Sequence, residues 1–114
     1  MDGSIRGIRV CHLADLPPGE SYGFKFEGYG SDDIFLVNRD GKVYAYKNSC
    51  PHWPGSTLPL KKNQYLDEES RHIICRGHGA LFDIETGLCF KGACVGKSLT
   101  AVPIEITESG YILI

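Results

Sequence analysis

Fourteen glycines and six prolines are spread along the 114 residues. That distribution limits the fold more than any other feature. A stable amphipathic helix needs about 12 uninterrupted residues with apolar side chains at i, i+3, i+4 and i+7. No such stretch occurs. Short β-branched and aromatic runs lie between the breaks instead, at residues 5–11, 22–26, 34–38, 43–46, 73–75, 81–83, 88–90, 99–103 and 111–114. Runs of this length bounded by turn residues read as strands. Asp40-Gly41 between two of them is a hairpin signal, because both central positions of the favoured two-residue turn need positive φ. Gly87 and Gly110 offer the same left-handed position to two further turns, and the Pro17-Pro18 pair confines residues 15–19 to a loop. The expectation is all-β: a small antiparallel sandwich or barrel, one domain over residues 1–114. Two irregular stretches interrupt it, at about 48–62 and 75–80.

Composition removes several functions. Apolar residues make up 42% and charged residues 23%, which argues against a disordered chain or a membrane protein. The formal net charge is −2, unlike a basic nucleic-acid binder. No apolar run approaches the roughly 18 residues that span a bilayer. Residues 1–10 lack the apolar core and cleavage site of a secretory signal. A soluble cytoplasmic protein is expected, with neither nucleic acid nor membrane as partner. Cysteines number five, an odd count. Without a signal segment this points away from a disulfide framework and toward metal binding or catalysis.

The irregular stretches hold the chemistry. The first contains Cys50-Pro51-His52-Trp53-Pro54-Gly55 and the second Cys75-Arg76-Gly77-His78-Gly79. The pattern is C-x-H, then 22 residues, then C-x-x-H. Each loop offers one thiolate and one imidazole, spaced so that both can face one point. Gly55, Gly77 and Gly79 allow tight turns and bring backbone N–H groups close to whatever is bound. Cys50, His52, Cys75 and His78 can form a tetrahedral zinc site. They can equally hold a [2Fe–2S] cluster, with both cysteines on one iron and both histidines on the other. Zinc fingers usually pair like ligands, whereas each short motif here mixes them, which suits the cluster better.

These residues, with Ala80-Leu81-Phe82-Asp83 and Thr86-Gly87 following, resemble the Rieske [2Fe–2S] ferredoxin family. The resemblance runs from the 39–42 hairpin to the C-terminus. It implies one [2Fe–2S] cluster per chain, held by Cys50 and Cys75 on one iron and by His52 and His78 on the other, at the tip of two loops. It also implies a low-potential, oxygenase-associated carrier rather than an enzyme. Such a carrier takes one electron from a reductase and passes it to a terminal oxidoreductase such as an aromatic-ring dioxygenase. There is no room for the catalytic mononuclear-iron domain of the oxygenases themselves. A small subunit of a nitrite reductase and a zinc-stabilised interaction module are the other readings. The chain departs from the family pattern at Pro54, where glycine is common, in the long gap between motifs, and at Gly92-Ala93-Cys94, where a third loop often carries Gly-Pro.

The resemblance also bears on the potential. The respiratory-complex type has a disulfide between its loops, which Arg76 and the residues about Gly55 cannot form. That type places Ser and Tyr hydroxyls near the sulfurs, where Ala80 and Phe82 stand here. Fewer donors imply a potential toward the low end of about −150 to +300 mV. Two neutral imidazoles leave the oxidised site uncharged, so it accepts an electron more readily than a four-thiolate site. Solvent-facing His52 and His78 would make the potential fall at alkaline pH. Pro51 and Pro54 stiffen the first loop. Trp53 either covers that loop or anchors a partner, and Gly92 is a candidate neighbour of the cluster. Cys11, Cys89 and Cys94 read as small core side chains, with Cys94 the one placed to approach the cluster. His12 and His72 flank apolar strands and are expected to face solvent.

Overall fold

The computed structural model describes residues 8–26, 32–51, 57–59, 62–76 and 79–114. Among the described residues nine strands form three antiparallel sheets of three. They are β1 (Arg9–His12), β2 (Ser21–Phe24), β3 (Ile34–Arg39), β4 (Lys42–Lys47), β5 (Ile73–Cys75), β6 (Ala80–Phe82), β7 (Cys89–Lys91), β8 (Glu105–Ile106) and β9 (Tyr111–Leu113). The sheet orders are β1-β9-β8, β2-β3-β4 and β5-β6-β7. The all-β expectation is met. Among the described residues the helical element is a single 3₁₀ turn, Leu13–Asp15.

The central sheet forms because β3 and β4 alternate perfectly about a two-residue turn. Arg39 pairs with Lys42, and Asp40 and Gly41 both have positive φ, 54° and 93°. Phe35, Val37 and Tyr46 point to one buried cluster, which also holds Leu58, Tyr65, Ile73, Phe82 and four of the five cysteines. Ile34, Leu36, Val43 and Ala45 point to the other side, where Val10, Cys11, Leu16 and Ile112 complete a second cluster. The central sheet thus has an apolar core on each face. The Gly87 and Gly110 turns form as expected, with φ of 75° and 92° and closing bonds from Gly87 N–H to Asp83 and from Gly110 N–H to Thr107.

Residues 99–103 are a correction. They do not form a strand; Ala101 makes one isolated bridge with Tyr46. Lys47 N–H donates to Thr100 and Val102 N–H to Ala45, but Leu99 N–H is already given to Gly87 and Pro103 has no N–H to continue the ladder. The short strand β8 follows instead. Two further corrections concern histidines. His12 does not simply face solvent: its Nδ1 accepts from Ala14 N–H at 3.0 Å, and its Nε2 lies 2.6 Å from the Ser109 carbonyl. His72 is half-buried, with Nδ1 3.1 Å from the Asp67 carboxylate and its ring edge-on to Phe90. Among the described residues no helix is long and apolar enough to cross a membrane.

Candidate metal centre

Two clamped loops carry the two cysteines of the predicted ligand set. The first leaves β4 at Asn48, a buried side chain. Its Nδ2 donates to the Asp32 carbonyl at 3.0 Å, and its Oδ1 accepts from Leu58 N–H at 3.0 Å. One side chain therefore fixes both the start of this loop and its return. Cys50 sits inside that span and is fully buried, while Pro51 beside it is half-buried.

The second loop joins β5 to β6. Cys75 is the last residue of β5 and pairs with Ala80, the first of β6. Gly79 N–H returns to the Cys75 carbonyl at 2.7 Å. Gly79 takes φ of 72° to do so, a conformation glycine adopts without strain. Cys75 is as buried as Cys50, and both belong to one apolar cluster. Arg76 ties the two loops together: its N–H donates to Leu58 at 2.8 Å, and its guanidinium Nη2 donates to the Leu66 carbonyl at 2.9 Å.

A third segment closes the same end. Gly92 ends β7 with φ of 102°, and a Cβ on it would lie 2.8 Å from the Ala80 Cα. Only glycine lets this turn lie against β6. Cys89 and Cys94 flank the turn, both buried, with sulfurs 3.1 Å apart. Burial first, then the hydrogen bond and charge of Cys89, and finally Cys50, push the Cys94 thiol up to about 12. Cys11 lies in the other core; burial, then Asp15, raises it to about 11. It behaves as a small core side chain, as expected.

The donors that this arrangement offers are two desolvated thiols from different loops. No disulfide joins any of the five cysteines. Buried sulfur donors on clamped loops suit a metal group that takes thiolate ligands, and the chemistry of an iron–sulfur site fits them. Ala80 and Phe82 are fully buried and present no side-chain donor. His52, Trp53, Gly55, Gly77 and His78 lie outside the described residues. Among the described residues no group of three or more His, Cys, Asp or Glu side chains is placed to hold a metal ion. The reading of the sequence missed Asn48, whose role depends on partners distant in the chain.

A family model for the Rieske [2Fe-2S] domain matches residues 7–104. No curated protein sequence matches the chain. Among solved structures, it is similar to the ferredoxin of carbazole 1,9a-dioxygenase from Nocardioides aromaticivorans IC177, with a TM-score of 0.71, 29% identity and 96% of each chain covered. The Sphingomonas yanoikuyae B1 ferredoxin is similar with a TM-score of 0.70 and 26% identity, over 94% of this chain and 95% of that one. A chain from a complex of reduced oxygenase and oxidised ferredoxin in carbazole 1,9a-dioxygenase has a TM-score of 0.71 at 21% identity, over 96% of this chain and 92% of that one. At that identity it shows the fold alone.

Proposed function

This chain belongs to the Rieske [2Fe-2S] domain family, and on that premise we propose that it is a one-electron carrier that delivers electrons to an oxygenase of the aromatic-ring type. The observation that carries the reading is the pair of clamped loops that bury Cys50 and Cys75 at one end of a β scaffold. The nearly complete mutual coverage with the Nocardioides ferredoxin supports a carrier of the same kind. That ferredoxin serves a carbazole dioxygenase, which supports an acceptor of the same class here and a reductase as donor.

In this reading Cys50 and Cys75 hold one iron, His52 and His78 hold the other, and there is one cluster per chain. When bound, the group supplies reversible storage of one electron. The chain does the rest. Asn48 and Arg76 hold the two loops against each other, so the ligands keep their spacing through the change of charge. The apolar cluster of Tyr65, Leu58 and Phe82 keeps water from the thiolate side. Odd cysteine usage with two thiolates as ligands supports a reducing compartment such as the cytoplasm.

The test is the absorption and EPR spectrum of the purified protein before and after dithionite. The expected result is a red-brown protein that bleaches and gives the signal of a mixed-ligand [2Fe–2S] site, with Cys50→Ser and Cys75→Ser both colourless. A colourless wild type that contains zinc after anaerobic iron–sulfur reconstitution refutes the reading.

A further inference from the structure

An antiparallel sheet with one solvated face ordinarily carries polar residues there. The β5-β6-β7 sheet does not. In β5 and β6 the buried residues Ile73, Cys75, Ala80 and Phe82 alternate with half-buried Ile74 and Leu81, which are cross-strand partners. Cys89 of β7 is buried, and Leu88 and Phe90 on either side of it stand outward, 44% and 45% exposed. The Phe90 ring lies edge-on to His72, with centroids 4.9 Å apart. Val95, 61% exposed, is held beside β7 by the bonds from Cys89 N–H to Lys97 and from Gly96 N–H to Cys89. The other exposed large apolar side chains among the described residues, Phe26 and Ile106, lie outside this sheet. The rim is cationic. Residues 86–104 contain Lys91 and Lys97 and no Asp or Glu, in a chain of net charge −2. Both lysines are exposed, and among the described residues neither has an ion pair. Asp67 borders the face through His72, but its carboxylate already accepts from the N–H groups of Arg71 and His72 and lies 3.1 Å from the His72 ring.

We propose that this outward face, centred on Phe90 and rimmed by Lys91 and Lys97, is the docking surface for the electron acceptor, an oxygenase that meets it with acidic residues around an apolar patch. This rests on the reading of the chain as a carrier for an oxygenase. Charge selects the partner: an unpaired cationic rim attracts an acidic surface and repels a basic one. Size selects the kind of complex. Stable interfaces bury about 800 Å² on each partner, more than a few side chains of one small sheet supply. Electron-transfer encounters occupy the low end of the range, which suits a carrier that must leave after each delivery. Position gives the encounter its use. Gly92, next after β7, packs against Ala80, and Ala80 pairs with Cys75. An acceptor on the outward face is therefore separated from the Cys75 side of the site by a single layer of sheet. The lysines raise the rate of encounter, and Leu88, Phe90 and Val95 hold the complex once formed.

The probe is the purified oxygenase component of the Nocardioides carbazole 1,9a-dioxygenase, immobilised for surface plasmon resonance with the cluster-loaded protein in solution. Stopped-flow oxidation of the reduced protein by the same oxygenase is the second readout. Wild type is expected to bind more weakly as salt is raised. Lys91→Glu/Lys97→Glu should raise Kd by about tenfold or more and slow electron transfer at subsaturating oxygenase in proportion. Phe90→Ser should raise Kd several-fold with little change in its salt dependence. Lys42→Glu/Lys47→Glu makes the same change in net charge on the central sheet and should stay within about twofold of wild type. Equal losses for the two lysine pairs assign the effect to net charge and overturn the proposal, as does a Kd unaffected by Lys91, Lys97 and Phe90. Wild type that does not bind the oxygenase at low salt overturns it too. Variants that bind the oxygenase normally but are reduced more slowly by a reductase place the donor on this face and overturn the assignment to the acceptor. If Phe90→Ser does not fold, the exposed lysine pair decides. A wild type that takes up no [2Fe–2S] cluster refutes the carrier reading and this inference together, whereas a loaded protein that reduces the oxygenase and is indifferent to these residues refutes this inference alone.

Discussion

Replacing Gly92 by alanine separates two costs that are usually confounded. Gly92 has φ of 102°, and its added Cβ would lie 2.8 Å from the Ala80 Cα, 3.1 Å from its Cβ and 3.3 Å from its nitrogen. The nearest obstacle is backbone of β6, which is paired on both sides by β5 and β7 and has little room to yield. An alanine at such a φ costs about 1–2 kcal/mol, and forcing a methyl group into a packed site adds about 1–3 kcal/mol. The sum is roughly 2–5 kcal/mol, a large part of a total stability of about 5–15 kcal/mol. Gly96 is the control. Its φ is 92° but nothing lies within 4 Å of its added Cβ, so Gly96→Ala carries the conformational cost alone. The difference between the two is the contact with Ala80. At this chain length about 1 kcal/mol moves the melting temperature by roughly 4 °C. Gly92→Ala should therefore melt about 4–12 °C below Gly96→Ala. The assay is thermal unfolding by circular dichroism on samples of equal cluster occupancy. Variants that melt within about 2 °C of each other would show that the turn does not lie against β6 as described.

Two further outcomes follow from the clamps around the site. Asn48→Ala removes both loop-closing hydrogen bonds and leaves Leu58 N–H buried without its acceptor, at about 1–3 kcal/mol for that group. It should accelerate hydrogen exchange at Leu58 and loss of visible absorbance on heating, and unchanged rates would contradict the clamp. Asp67 gives a pH dependence. Burial pushes its carboxyl up, but N–H groups of Arg71 and His72 and the His72 ring outweigh this and leave it below its ordinary value of 3.8. A carboxylate with a depressed pKa in the folded state contributes stability above its unfolded pKa and loses it as pH falls through the folded pKa. Asp67→Asn should therefore reduce stability at neutral pH and flatten the acid limb below about pH 4. An acid limb identical to wild type would exclude this residue as its source.

The parts of the fold legible in the sequence are those whose physics is local. Asp40-Gly41, Gly87 and Gly110 announce their turns because positive φ narrows the choice of residue at the position itself. The parts that were not legible depend on distant partners. Residues 99–103 have strand-like side chains, yet whether they pair depends on donors already claimed by Gly87 and on Pro103. The two residues of β8, Glu105 and Ile106, are both exposed, too short a run to read as a strand; pairing with β9 defines them as one. In the proposed site, the residue types and spacing of Cys50, His52, Cys75 and His78 carry the expectation of metal chemistry, and the structure describes only Cys50 and Cys75 of the four. Asn48 carries no such mark, being one polar residue among many until Asp32 and Leu58 are brought to it.

The central sheet, with a core on each face, works as a party wall. Along β3 the even-numbered side chains furnish one room and the odd-numbered ones the other. A side-chain substitution is private to one room. A slip of the strand by one residue is not, because it would exchange the furnishings of both, sending Ile34 and Leu36 toward the cysteines and Phe35 and Val37 to the far side. An ordinary half-exposed sheet penalises such an error by exposing an apolar face; here both faces are apolar and the penalty is the misfit of side-chain shapes in two packed cores. Alternative pairings of β3 and β4 are correspondingly remote, and the level of the floor on which Asn48 sets the first loop admits one solution.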